Sequence, residues 1–274
     1  MRINNNIMAF NASRNLGVSN MSLGKNLEKL SSGYRINRAG DDAAGLVISQ
    51  KLRAEVSGLK QATRNAQDGV SLVQTAEGAL GEVHNMLNRM RDLSVQAAND
   101  TNDADARTAI AAEITALTAE IGRIGADTTF SGAAVFSATA LNFQVGSEGS
   151  GTSGQIAVTV GALTTANVGG TDITGIAVND ATNARAAIET IDLAIAGIST
   201  TRGTLGAAQN RFESVTRNLQ VATENLAASE SRIRDTDMAA EMVEFTKNQI
   251  LTQAGTAMLG QANSIPQGVL RLLG

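Results

Sequence analysis

The strongest restriction on this chain is the position of its single proline. Pro266 is the only one, so the 265 residues before it contain no side chain that removes a helical N–H. Long helices are permitted almost anywhere. The chain is also poor in rings, with no Trp, one Tyr and six Phe among 274 residues. A core without aromatic filling must come from Leu, Ile, Val, Ala and Met, and such side chains suit helices packed at close range. Helix bundles are therefore the leading fold class.

Periodicity places the helices. Leu59, Thr63, Ala66, Val70, Val73, Ala76, Leu80, Val83, Leu87 and Met90 recur at threes and fours, the stripe of a long helix from about Leu46 to Ala98. A second stripe runs through Ile188, Ile191, Ile195, Ile198, Leu205, Ala208, Phe212, Val215, Leu219, Ala222 and Leu226, and a shorter helix is expected over Ala104–Ile124. Between them Leu141, Phe143 and Val145 alternate, as do Ile156, Val158 and Val160, with GSEGSGTSG separating the runs, which reads as a β-hairpin. The ends return to helix: Ile3, Ile7, Phe10, Leu23, Leu27 and Leu30 form one amphipathic stripe. Met238, Met242, Phe245, Leu251, Met258 and Leu259 form the other. Two stripe-bearing termini outside the longer rods carry apolar surface that one molecule does not readily bury alone, and lateral association is the natural remedy.

Several function classes fall away. With 22 Lys plus Arg against 26 Asp plus Glu, a formal charge of -4, no basic surface draws the chain to nucleic acid. No run reaches the length of a membrane span, and MRINNNIMAF lacks the apolar core of a signal peptide. Zero Cys and a single His84 remove thiolate chemistry and any site needing two imidazoles, so no metal site or cofactor is expected. There is no GxGxxG, GxxxxGK[ST] or GxSxG, and neighbouring Asp41 and Asp42 would point about 100° apart on a helix, too divergent for a glycosidase pair. No catalytic residue is nominated, and an enzyme is not expected.

Two polar segments stand out. In RINRAGDDAAG, Arg35 to Gly45, Gly40 can end one helix while Asp41 or Asp42 caps the next. SRIRDTD, Ser231 to Asp237, has the same character, so Arg232 and Arg234, beside Asp235, are expected to face Asp41 and Asp42 across a connector. Exposed pairs of this kind are worth under about 1 kcal/mol and would select register rather than supply stability.

LSSGYRINRAGDDAAGLVISQKLR from Leu30 and GLKQATRNAQDGVSLVQTAEGAL from Gly58 closely resemble the amino-terminal signature of bacterial flagellins. LGAAQNRFESVTRNLQVATENLAASESRIRDTDMAAEMVEFTKNQILTQAGTAMLGQAN from Leu205, with the closing PQGVLRLLG, resembles their carboxy-terminal signature. The resemblance covers about the first 135 and last 75 residues. It implies a mainly α fold: a long antiparallel helical rod or coiled coil, paired N- and C-terminal helices and a small β-hairpin region in the middle. The expected parts are an N-terminal core helix (1–44), two rod segments (45–130 and 181–234), a short β-rich variable segment (131–180) and a C-terminal core helix (235–274).

The implied function is that of a filament subunit for swimming, polymerising with itself and exported by the flagellar type III system without a cleaved signal to an extracellular filament. A hook-to-filament junction protein is the nearest rival, and the carboxy-terminal block argues against it. Implied partners are an export chaperone, a cap protein, hook-junction proteins and an animal Toll-like receptor, with no nucleic acid and no membrane insertion. LNRMRDLSVQA, with Leu87, Arg89, Leu93 and the more distant Glu113, resembles the segment this innate immune receptor binds.

Overall fold

The structure, a computed structural model, describes residues 5–147 and 154–273. Helices α1 (Ile7–Ser32), α2 (Ala43–Ala97), α3 (Ala104–Asp127), α4 (Ala181–Arg234) and α5 (Met238–Leu273) carry most of the chain. Four short strands, β1 (Thr129–Phe130), β2 (Ala133–Ala134), β3 (Leu141–Gln144) and β4 (Gln155–Val158), lie between α3 and α4. The chain divides into two compact units. Residues 1–56 and 225–274 form one, and 57–224 the other. Both α2 and α4 contribute to each, so the division falls inside the two longest helices rather than at the expected boundaries after residues 44 and 234.

In the unit 57–224, the long stripes meet in one core that takes Val73, Leu80, Val83, Leu87 and Met90 from α2, Ile114 and Ile121 from α3, and Ile191, Ile198, Leu205 and Phe212 from α4. Carboxylates mark where the helices start. Asp103 Oδ1 accepts from the Ala106 amide at 2.8 Å, and Asp180 Oδ1 accepts from the amides of Thr182 and Asn183 at 2.9 and 2.8 Å. At the other end of α2, Arg107 donates to the carbonyls of Ala97 and Asn99 at 3.2 and 3.3 Å, satisfying a terminus that lacks intrahelical partners.

The expected hairpin is present: β3 and β4 pair antiparallel with Phe143 opposite Ile156 and Leu141 opposite Val158. Its inner face, Ile156 and Val158, is buried, and Phe143 meets Phe212 edge to face at 5.4 Å between centroids. The centre of the predicted loop lies outside the described residues. A second, smaller hairpin went unread in the sequence. In it β1 pairs with β2 through Ser131 and Gly132, both at positive φ (51° and 83°), the backbone of a two-residue turn matched to strand twist.

Close approach decides the packing in two places. A Cβ on Gly69 would lie 2.6 Å from the Phe212 ring, and one on Gly197 would fall on the Gly169 carbonyl, where backbone meets backbone and neither side can yield. Gly203, in the same helix, has open space around it. Gly197→Ala is expected to destabilise this unit by about 3 kcal/mol. Gly203→Ala should be neutral or raise stability by up to about 1 kcal/mol through helix propensity. The shift of the unit's calorimetric transition in the full chain checks both, and equal effects would refute the close-approach argument.

The terminal seam, the connector and the rod face

The other unit is built on α1 packed against α5. The pairs Asn6–Ala262, Leu16–Gly255, Asn20–Thr252 and Lys29–Glu241 run in opposite chain directions, so the helices are antiparallel. Half-buried or buried residues recur on α5 at Glu241, Phe245, Asn248, Thr252, Gly255, Leu259 and Ala262, steps of four and three. They recur on α1 at Ala12, Leu16, Ser19, Leu23, Asn26 and Leu30 with the same alternation. This is a coiled-coil seam, but an unusually polar and small one. Asn26 is only 7% exposed and its Nδ2 has no hydrogen-bond acceptor, and the buried Oε1 of Glu241, also a seam residue, has no donor. Each such group subtracts from the stability of the pair.

Many of the larger apolar side chains are on the outside. Ile7, Met8, Phe10, Met21, Leu27, Met238, Met242, Val243, Ile250, Leu251 and Met258 are all exposed, with Phe10 at 70% and Val243 at 69%. Met8, Leu16, Leu251 and Met258 line an open groove of about 420 Å³ along the pair. The residues predicted as one stripe therefore divide. Leu23, Leu30, Phe245 and Leu259 lie in the seam, while Ile7, Phe10, Leu27, Met238, Met242, Leu251 and Met258 stand clear of it. Ile3 lies outside the described residues. Period alone could not separate the two sets, because both faces of these helices repeat at threes and fours.

The connector is built differently from the expectation. Gly33, not Gly40, ends the first helix: it adopts φ 74° and its N–H returns to the Lys29 carbonyl at 2.8 Å. Asp42 then caps α2 by accepting from the Gly45 amide at 2.8 Å, as the sequence suggested for one of the two Asp. Asp41 instead accepts from the amides of Asn37 and Arg38, at 3.2 and 3.0 Å, and closes the intervening turn.

No ion pair joins Asp41 or Asp42 to Arg232 or Arg234 among the described residues, because both carboxylates are occupied by amides of their own segment. The two strands of the connector are joined by backbone. Tyr34 bridges Asp235, the Arg35 amide donates to the Arg234 carbonyl at 2.7 Å, and the Thr236 amide donates to the Gly33 carbonyl at 3.0 Å. The Arg35 guanidinium adds a bond to the Ile233 carbonyl at 2.7 Å. Arg234 lies over the Tyr34 ring at 4.4 Å from its centroid and Arg53 at 5.9 Å, while Arg53 also pairs with Glu230 at 3.0 Å. Arg232 is turned away, onto Ser229 Oγ at 3.0 Å. Sequence reasoning missed Tyr34, although the only tyrosine of the chain, set among arginines, was the available signal.

In the unit 57–224, Arg89 and Glu113 are exposed and paired at 2.8 Å. Leu87 and Leu93 are not beside them on the surface. They are 0% and 3% exposed, packed in the core, so neither is available to a receptor on this fold. Among the described residues no group of three or more His, Cys, Asp or Glu could hold a metal ion, and no helix is long and apolar enough to cross a membrane.

These features define a helical protein whose paired terminal helices present apolar surface to solvent. Residues 3–140 match the bacterial flagellin N-terminal helical region and residues 188–273 the C-terminal helical region. A flagellin of Halalkalibacterium halodurans is 51% identical over the whole of both chains. The flagellin of Bacillus subtilis and a flagellar filament 33 kDa core protein of Treponema phagedenis are each 46% identical, again over the whole of both chains. The crystal structure of Bacillus cereus flagellin superposes with a TM-score of 0.50 at 31% identity, covering 61% of this chain and 94% of that one. The chain belongs to the bacterial flagellin family, the structural proteins of flagellar filaments, and is not an enzyme.

Two expectations follow for the connector. Tyr34→Leu removes the ring under Arg234 and should cost about 1 kcal/mol, read as faster hydrogen exchange at the Arg35 and Thr236 amides. The N–H bonds from Arg38 and then Asn37 hold the Asp41 carboxyl below its ordinary pKa. A carboxyl depressed in the folded state stabilises fully above its unfolded pKa, and that contribution is lost as pH falls through the folded value. Protection of the Asn37 and Arg38 amides should therefore decline below about pH 4. Asp41→Asn should abolish this pH dependence, and an unchanged profile would refute the assignment.

Proposed function

We propose that this chain is the repeating subunit of a flagellar filament used for swimming, polymerising with copies of itself through the terminal helix pair. The observation that carries this reading is the apolar surface that pairing leaves uncovered: Asn, Ser, Thr and Glu share the seam with Leu and Phe, while Phe10, Met21, Val243, Ile250 and Met258 face solvent. Burying such side chains is worth roughly 1.5–3 kcal/mol each, and only other molecules can cover them. Residues 1–44 and 235–274 would supply the inner contacts, 45–130 and 181–234 the rod, and 131–180 the variable segment.

The finer roles extend the family reading. Export by the flagellar type III system to an extracellular position suits a chain without disulfides, which can pass a narrow channel unfolded. An export chaperone, a cap protein and hook-junction proteins are the corresponding partners. Recognition by an animal Toll-like receptor would rest on Arg89 and Glu113, the two exposed residues of the predicted set.

Seeded elongation followed by electron microscopy tests the reading. The full chain should grow long uniform filaments, and a chain lacking residues 1–40 and 235–274 should grow none. Phe10→Glu and Met258→Glu should reduce elongation at least tenfold with the unit 57–224 intact by calorimetry. Normal growth of either variant would count against the exposed stripe as the polymerising surface, and failure of the full chain to elongate from seeds would overturn the proposal.

A further inference from the structure

Helix α5 is helical across Pro266. A proline has no N–H, so the carbonyl four residues earlier, that of Ala262, loses its intrahelical donor. Ala262 is 6% exposed, so water does not readily replace that donor, and a buried carbonyl without a partner costs free energy. The replacement comes from the opposite end of the chain: Asn6 Nδ2 donates to the Ala262 carbonyl at 2.7 Å.

The same carboxamide has a second task. Asn6 is the N-cap of α1, and its Oδ1 accepts from the Ala9 amide at 3.1 Å. The two bonds together fix the orientation of the amide, because only this assignment places the oxygen on an N–H and the nitrogen on a carbonyl. Register is the property at stake. The large knobs of the seam, Leu16, Leu23 and Leu30 on α1 and Phe245 and Leu259 on α5, recur at seven- and fourteen-residue steps with small or polar residues between them, so a slide of two turns re-seats them and packing alone fixes register weakly. A carbonyl freed at one position of α5 and a donor fixed at the first turn of α1 define one register and no other.

We propose that Asn6 is the register-setting residue of the terminal helix pair, docking its side-chain N–H on the carbonyl that Pro266 leaves free while capping α1 with its oxygen. The register in turn determines which exposed side chains of the two helices share a groove, as Met8 and Met258 do. The inference rests on the pairing of α1 with α5 and not on polymerisation itself. Pro266 then acts as an address rather than as a helix terminator.

The cysteine-free sequence allows a direct test. A Cβ placed on Gly255 falls 3.6 Å from that of Leu16, within the span of a disulfide, so Leu16→Cys with Gly255→Cys closes a bond only in this register. Closure is measured in the full chain under a fixed thiol buffer, with and without filament seeds, in four backgrounds: unaltered, Asn6→Asp, Pro266→Ala, and both. Asn6→Asp keeps the capping oxygen and loses the donor, so it should lower closure roughly five- to tenfold. In the Pro266→Ala background, where the helix supplies its own N–H, Asn6→Asp should change closure less than twofold. Equal losses in both backgrounds would reduce Asn6 to a cap, no loss in either would remove its role, and no closure without further change in either sample would refute the register. Normal closure with no elongation would sink the filament proposal and leave this inference standing.

Discussion

The terminal pair depends on a seam that is too small and too polar to hold itself together strongly. Gly255, Ala262, Ala12 and Ser19 let α1 and α5 approach, but small side chains remove little apolar surface from water. Asn26 and Glu241 bring polar atoms into the seam that find no partner. The one charged contact across it among the described residues, Lys29 with Glu241 at 3.5 Å, is partly exposed and worth little. What such a seam supplies is proximity and direction. Most of the free energy available to these helices is in the side chains it leaves outside.

The unit 57–224 is the opposite case. Its stripes place Leu80, Leu87, Met90, Ile191, Ile198 and Phe212 inward, and all of these are essentially fully buried within one molecule. Glycine there permits contact between large groups, as where Gly69 faces the Phe212 ring, rather than replacing it. The charges that remain outside, Arg91 with Asp192 and Arg202 with Glu77, decorate a core that is already closed. One chain thus carries a unit that buries most of its large apolar side chains, Leu193 and Val221 being exceptions, and a unit that leaves many of them outside, a division that suits a protein whose ends join copies while its middle stays folded.

Much of this was legible in the sequence, and the reasons for the misses are specific. A stripe of Leu and Ile over many turns reports a buried helix whatever its neighbours, so α2 could be read to within a few residues and α4 over the middle of its length, about two turns short at each end, and strict alternation pointed to the β3–β4 hairpin. The β1–β2 hairpin escaped because strands of two residues are too short to show a period. At the termini the pattern was correct and its meaning was not. Two apolar faces share one period, and only the partner's position shows that Phe245 is in the seam while Met242 is outside. Leu87 and Leu93 were grouped with Arg89 by proximity in sequence, although their places on the inward stripe already marked them as core.

The connector shows why charge is a poor guide to pairing. Two Arg beside two Asp on each segment suggested ion pairs, yet carboxylates within reach of amides on their own turn take those first, since the segment is already ordered around them. Once Asp41 and Asp42 are occupied, Arg234 is left to the aromatic face of Tyr34 and Arg35 to a carbonyl. The join between the two ends of the chain therefore relies on backbone hydrogen bonds and a stacked cation, contacts of fixed geometry that salt screens less than exposed charge pairs. A join of that kind sets where α1 ends against the start of α5, and the Asn6 bond to Ala262 sets their alignment again at the far end of the pair. Between those two points a weak seam needs no more than to keep its helices adjacent.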